Sequence, residues 1–135
     1  MIVLDTVVLS EMRKTRPSAK VVEWLSRQRE TDLYLSVVSL GEIERGIEQQ
    51  RKPNPAFARE LARWLETLLQ LYADRLLPVS ASIARRWGLL SAQLGHDGAD
   101  LLIAATALTH GLAVATRNVR HFKATGVQVV NPFGI

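Results

Sequence analysis

Five short apolar segments, separated by longer stretches with helical periodicity, constrain the fold of this chain most strongly. The segments are MIVLD, DLYLS, LLPV, LAVAT and VQVV. Each is short for a helix and lacks polar alternation, which is typical of strands buried on both faces. Strands that alternate with helices indicate βαβ units and a parallel sheet. We therefore predict a single α/β domain over residues 1–135, with three layers, α/β/α, and a central, mainly parallel sheet.

The stretches between the apolar segments predict six helices. The fourth has an apolar face at helical spacing, formed by Phe57, Leu61, Trp64, Leu65, Leu68 and Tyr72. The last is almost wholly apolar, so we expect it to be buried on most sides and to end at Gly111. The predicted helices run from Thr6 to about Lys14, over SAKVVEWLSRQ from Ser18, from Ser39 to before Pro53, from about Pro55 to Tyr72, from Ser80 to Leu94, and over ADLLIAATALTHG.

Composition excludes several kinds of protein. The chain has no cysteine, which excludes disulfides and thiolate metal sites. Its 17 Lys and Arg residues outnumber 13 Asp and Glu residues, and the net charge of +4 permits a polyanionic partner without requiring one. No apolar run approaches membrane-spanning length, and no basic region precedes the first apolar stretch. We expect a soluble, cytoplasmic protein.

Asp5 interrupts an apolar sequence, and two interpretations of it are open. Aspartate is a good helix N-cap, so Asp5 can begin the helix that follows. It also follows a buried strand directly, and sites in parallel sheets form beyond the carboxyl ends of the strands. The two roles are compatible, because a capping carboxylate uses one oxygen and leaves the other free. The segment from Thr116 to Asn118 follows the strand LAVA in the same way.

Two further acids have both a structural and a functional interpretation. Ser39 and Glu42 have the spacing of a capping box, and periodicity alone does not choose between Glu42 and Glu44 as the residue of interest. Asp97 and Asp100 have the spacing of a cap and a first-turn charge. Asp100 also stands at the mouth of a buried helix, where a carboxylate is held rigidly enough to bind a metal.

Other kinds of active site have no support in the sequence. The three histidines are scattered, no phosphate-binding loop is present, and no serine has a nucleophile context. Asp5, Glu42 and Asp100 come from three separate segments, and clustered carboxylates need cations to offset their repulsion. Mg²⁺ and Mn²⁺ prefer carboxylate and water ligands, and such an ion can promote in-line hydrolysis of a phosphodiester.

The segments IVLDT, GEIERG, ADLLIAATALTHGLAVATRN and VQVVNPF, in this order, resemble those of PIN-domain proteins. The group most similar is the toxin ribonucleases of the VapC and FitB type, which belong to type II toxin–antitoxin modules. The resemblance implies an endoribonuclease that cuts RNA by metal-dependent, two-metal-type hydrolysis with Mg²⁺ or Mn²⁺. It further implies a cognate antitoxin as partner, a homodimer, and an antitoxin groove near the segment from Glu42 to Tyr72, with Phe57 and Trp64 partly exposed. The periodicity by itself favours the alternative, in which this apolar face is ordinary core.

The resemblance assigns a role to individual residues. Asp5, Glu42 and Asp100 match the three metal-binding acids of the family, and Thr116 matches a hydroxyl residue at the end of the fourth strand. Asn118 falls where a fourth acid often stands, and its amide can still coordinate through oxygen. The implied catalytic set is Asp5, Glu42, Asp100, Thr116 and Asn118.

Three positions depart from the family pattern. Val7 stands where the family commonly has asparagine, and Asn118 and His121 stand where it often has acids. We hypothesise that Asp97 partly replaces the missing negative charge. The alternative to an active nuclease is therefore a catalytically weakened PIN-fold module that binds antitoxin or RNA without cleaving it. A generic α/β ligand-binding domain, in which all three acids only cap helices, is a third interpretation.

Overall fold

The structure, a computed structural model, describes residues 1–134; Ile135, which ends the predicted domain, lies outside the described residues. The five predicted segments all form strands, and a 3₁₀ turn at Glu30–Asp32 precedes the second. The strands are Ile2–Leu4 (β1), Leu33–Ser36 (β2), Leu76–Leu77 (β3), Ala113–Ala115 (β4) and Val129–Val130 (β5). The helices are Thr6–Arg13 (α1), Ala19–Ser26 (α2), Val37–Gln50 (α3), Pro55–Leu71 (α4), Ala81–Leu94 (α5), Ala99–His110 (α6) and Val119–Lys123 (α7).

The five strands form one sheet in the order β3-β2-β1-β4-β5, and every neighbouring pair is parallel. The first strand of the chain is therefore the central strand of the sheet. In its register with the last two strands, Val3 of β1 is opposite Val114 of β4, which is opposite Val129 of β5. The predicted parallel α/β sheet is confirmed.

The absence of polar alternation in β1 is explained by its burial on both faces. Successive side chains of a strand point to opposite faces of the sheet. Val3 packs in a cluster with α6 and α7, whereas Leu4 packs in a cluster with α2, α3 and α4, and both side chains are fully buried. Helix α5 covers α6 from outside through Ile83 and Leu90. The two clusters define the helical layers on either side of the sheet, as predicted.

The helix boundaries agree with the predictions except at α3 and α7. Helix α3 begins at Val37, because the side chain of Ser36, at the end of β2, accepts the Val38 N–H and caps the helix. The predicted start at Ser39, and with it the capping box, is wrong. Helix α7 is not predicted, because it has five residues and only Phe122 is buried. Helix α6 ends at Gly111, which has a left-handed backbone with φ of 68°.

Helix α4 buries most of its predicted apolar face. Leu61, Leu65 and Leu68 are buried, whereas Phe57 and Trp64 are only partly buried, as the resemblance implies. The side chain of Asn54 caps the helix by accepting the Phe57 N–H. In the part of the chain that the structure describes, no helix has both the length and the apolar character needed to cross a membrane.

Candidate active site

A cavity of about 380 Å³ opens at the carboxyl ends of β1 and β4. The chain runs outward from β1 through β2 and β3, and then returns to the opposite side of β1 as β4. Open parallel sheets place their sites where the strand order reverses in this way, because the segments after the two strands leave in opposite directions. The cavity is lined by Asp5, Thr6, Val7, Glu42, Asp100, Arg117 and Asn118.

Asp5 follows β1 and is the most buried of the three acids, with 6% of its surface exposed. Its Oδ1 accepts the backbone N–H of Thr6 at 2.8 Å, and its Oδ2 accepts the hydroxyl of Thr116 at 2.7 Å. Burial raises the pKa of Asp5 from 3.8 to about 6; the two hydrogen bonds oppose this shift, and the charges of Asp100 and Glu42 add to it. A cation beside this carboxyl would offset the penalty on its charged form.

Thr116 follows β4 and orients the Asp5 carboxylate. Its Oγ1 accepts the backbone N–H of Asn118 at 2.9 Å and donates its own proton to Asp5. Because the N–H of Asn118 occupies a lone pair of the hydroxyl, the hydroxyl proton is directed at the carboxylate. Thr116 is fully buried, so this arrangement is shielded from water. Thr116 is therefore a positioning residue for Asp5.

Glu42 reaches the cavity from the second turn of α3. Its Oε1 accepts the hydroxyl of Thr6 at 2.7 Å, and the same hydroxyl lies 2.8 Å from the buried Oγ of Ser39. Glu44, which periodicity left as an alternative, is exposed and does not line the cavity. Thr6 thus connects the first two acids, because its backbone N–H holds Asp5 and its side chain holds Glu42.

Asp100 lies in the first turn of α6, where Gly98 occupies the N-cap position. Its Oδ2 accepts the side-chain N–H of Asn118 at 2.9 Å and lies 3.6 Å from Nδ1 of His121. Because an amide is uncharged, Asn118 does not neutralise Asp100. Its hydrogen bond instead orients the Asp100 carboxylate. Asp97 is exposed, is not the cap of α6, and does not line the cavity.

The side chains that line this cavity offer oxygen ligands, which hard divalent cations prefer. Three carboxylates supply oxygen ligands, and a cavity of this size leaves room for the water that Mg²⁺ retains when it binds. Among the described residues, no three acidic or histidine side chains form a ready-made metal cluster. Two of the acids are instead engaged in hydrogen bonds, Glu42 with Thr6 and Asp100 with Asn118. An ion shared by all three acids would replace some of these contacts.

The structure brings together all five residues of the implied catalytic set, directly or through one hydrogen bond. Two lining residues were not singled out from the sequence. Thr6 belongs to the quoted motif LDT, so its signal was present, whereas Arg117 is a single basic residue between Thr116 and Asn118. Val7, noted as a departure from the family pattern, lines the cavity and gives it one apolar wall.

Fold and site together define a class of protein. It is an α/β/α domain with a parallel five-stranded sheet and a carboxylate-lined cavity at the reversal of strand order. The chain belongs to the PIN domain family, whose model matches residues 2–127. The membership implied by the sequence motifs is confirmed.

Relatives of this chain match it over nearly its full length. It is 37% identical to VapC ribonuclease Y4jK of Sinorhizobium fredii, with 98% of each chain covered. It is 35% identical to toxin FitB of Neisseria gonorrhoeae, with 98% of this chain and 99% of FitB covered. The crystal structure of FitAcB from Neisseria gonorrhoeae matches it over the whole of both chains, with 35% identity and a TM-score of 0.87.

Proposed function

We propose that this chain is an endoribonuclease toxin of a toxin–antitoxin module, and that its activity requires Mg²⁺ or Mn²⁺. The observation that carries the proposal is the cavity in which Asp5, Glu42 and Asp100 meet at the carboxyl edge of the sheet. The similarity to a VapC ribonuclease and to toxin FitB supports the choice of RNA as substrate.

We infer that Asp5, Glu42 and Asp100 hold the ion, with Asp5 as its most buried ligand. A bound divalent cation supplies positive charge for a phosphodiester and activates water for in-line attack. Thr116 and the backbone of Thr6 keep Asp5 oriented, Asn118 orients Asp100, and the hydroxyl of Thr6 orients Glu42. Without a cation these three carboxylates would repel the phosphates of RNA.

The test is RNA cleavage by the purified chain, free of antitoxin. Total cellular RNA is incubated with Mg²⁺ or Mn²⁺, with EDTA in a parallel sample, and fragments are mapped by their ends. Glu42→Gln is compared with Glu44→Gln, because both residues lie on α3 but only Glu42 lines the cavity. We expect discrete fragments that require the metal, loss of cleavage in Asp5→Asn and Glu42→Gln, and normal cleavage in Glu44→Gln.

A second candidate function rests on the amide at Asn118 and the apolar side chain of Val7 in the cavity. Asn118 makes the site less negative than a fourth acid would, and Val7 gives it one oxygen ligand fewer than an asparagine would. If the folded chain binds Mn²⁺ but leaves every RNA intact, it is a binding module rather than a nuclease. Val7→Asn and Asn118→Asp would then be expected to restore cleavage.

We further propose that the antitoxin covers two cavities that adjoin α4. One, of about 220 Å³, shares Thr6 and Glu42 with the active-site cavity and is walled by Phe57 and Trp64. The other, of about 300 Å³, is lined by Trp64 as well and includes Tyr72 in its wall. A helix lying along this apolar surface would reach the acids of the active site.

The antitoxin proposal is tested by co-purification of this chain with its cognate antitoxin. Trp64→Ala removes a side chain that walls both cavities, whereas Leu89→Ala removes an exposed side chain from α5. We expect Trp64→Ala to raise the dissociation constant of the complex by at least about 10-fold, as for a central interface residue. Leu89→Ala should leave the dissociation constant unchanged. Equal effects of the two substitutions would contradict the assignment.

A further inference from the structure

Arg117 is a basic residue inside an otherwise acidic site. It lies in the loop after β4 and lines the same cavity as Asp5, Glu42 and Asp100. Among residues 1–134, Arg117 forms no ion pair with a carboxylate within 4.0 Å. A guanidinium in a cavity lined by three carboxylates can pair with one of them unless another contact holds it away.

That other contact is the aromatic ring of Phe133. The central carbon of the Arg117 guanidinium lies 4.4 Å from the centre of the ring. The ring is anchored, because Phe133 packs against the core and its backbone N–H donates to Oδ1 of Asn131 at 3.0 Å. Stacking on an aromatic face uses the plane of the guanidinium and leaves the N–H groups at its edge available to a ligand.

The N–H groups of Arg117, which pair with no carboxylate of residues 1–134, suit a phosphate. A guanidinium presents paired donors that match two phosphate oxygens, which a lysine ammonium does not. The cavity is also lined by three acids, and those acids attract no anion themselves. Arg117 is the sole basic residue in the lining of this cavity within the described chain. The guanidinium of Arg117 is therefore the positive group of the protein that a phosphate in the cavity can contact.

We propose that Arg117 binds the RNA phosphate that enters the active-site cavity, and that Phe133 holds the guanidinium in place for this contact. The inference rests on the proposed ribonuclease function and adds a substrate-binding residue to it. Arg117 touches the substrate, whereas Phe133 acts only through Arg117 as a positioning residue.

The first test compares Arg117→Gln with Arg120→Gln in cleavage of a defined single-stranded RNA with Mg²⁺. Arg120 is a matched control, because it is exposed, lies three residues further on, and does not line the cavity. We expect kcat/KM to fall about 10- to 100-fold in Arg117→Gln and less than about 3-fold in Arg120→Gln. Arg117→Lys should lie between Arg117→Gln and the wild type. Equal losses at both arginines would overturn the proposal.

The second test addresses Phe133 through a pair of variants. Phe133→Leu keeps an apolar side chain against the core but removes the aromatic face, whereas Phe133→Tyr keeps that face. We expect Phe133→Leu to raise KM about 10-fold with little change in kcat, and Phe133→Tyr to retain the KM of the wild type. If both variants raise KM equally, or if both leave it unchanged, Phe133 does not position Arg117.

The third test separates this proposal from the ribonuclease proposal. Binding of a fluorescein-labelled single-stranded RNA to the Asp5→Asn chain is followed by anisotropy over a range of salt concentrations. Removing one phosphate contact should reduce the slope of log K against log salt by about 0.7. We expect this reduction with Arg117→Gln and not with Arg120→Gln. No RNA binding, or equal slopes, would overturn the role of Arg117, whereas absent cleavage with this reduction would overturn only the nuclease.

Discussion

The raised pKa of Asp5 predicts that the contribution of this residue to the stability of the metal-free protein falls as the pH rises. The folded state holds the Asp5 proton more tightly than the unfolded chain does, because burial disfavours the carboxylate. Between pH about 4 and about 6 the Asp5 carboxyl therefore binds more protons in the folded state, and its contribution to the free energy of unfolding falls with increasing pH. The pKa rises from 3.8 to about 6, and a shift of about two units corresponds to about 3 kcal/mol.

The substitution Asp5→Asn removes this dependence, because an amide does not titrate. In EDTA, we expect the free energy of unfolding of Asp5→Asn, minus that of the wild type, to rise by about 3 kcal/mol between pH about 4 and about 7. Urea unfolding followed by circular dichroism measures it, and the difference between the two chains cancels the titration of other groups. Asp74→Asn, at an exposed position, controls for the loss of one negative charge.

Added Mn²⁺ extends the test. At 100 times its dissociation constant the ion should stabilise the wild type by about 2.7 kcal/mol above pH about 6, with little effect on Asp5→Asn. A difference between wild type and Asp5→Asn that stays constant within about 0.5 kcal/mol across this pH range would refute the reasoning. It would show that the Asp5 carboxyl is solvated or already paired in the metal-free protein.

Three further predictions concern the surroundings of the site and the core. Thr116→Val removes the donor to Asp5 and the acceptor for the Asn118 N–H; we expect about 1–3 kcal/mol of destabilisation by urea unfolding and a further rise in the pKa of Asp5 by NMR titration. Phe122→Ala, at a fully buried position, should lower the free energy of unfolding by about 3–5 kcal/mol. Hydrogen bonds from Lys14 and the Ser18 N–H hold the pKa of Glu11 below its ordinary value. The contribution of Glu11 to stability is therefore present above pH about 4.5 and is lost as the pH falls. Urea midpoints measured between pH 7 and pH 3 should show that the Glu11→Gln variant lacks this part of the acid destabilisation.

The sequence was sufficient to predict the sheet because its strands are buried on both faces. Val3 and Leu4 are adjacent in sequence and pack in different layers, so the apolar run in β1 was itself the signal. The start of α3 was not predictable in the same way. Ser36 and Ser39 both suit a helix cap, and the choice depends on where β2 ends against its neighbours. Helix α7 is too short for periodicity to reveal.

The site was predictable where it depends on strand ends and not where it depends on distant contacts. Asp5 and Thr116 each follow an apolar strand, so their position alone indicated the carboxyl edge of the sheet. The hydrogen bond between Asn118 and Asp100 and the contact between Arg117 and Phe133 join residues that no local pattern connects. For that reason the sequence identified the residues of the cavity better than the partners that hold them.

The central place of β1 in the sheet affects when the site can form during synthesis. Asp5 leaves the ribosome well before the residue that orients it, because Thr116 lies 111 residues later in the chain. Until Ala113–Ala115 has been translated, β1 lacks one of its two neighbouring strands and the cavity lacks one wall. Contacts between residues so far apart form late and slowly. A nascent chain thus cannot complete the site before β4 and Thr116 have been translated.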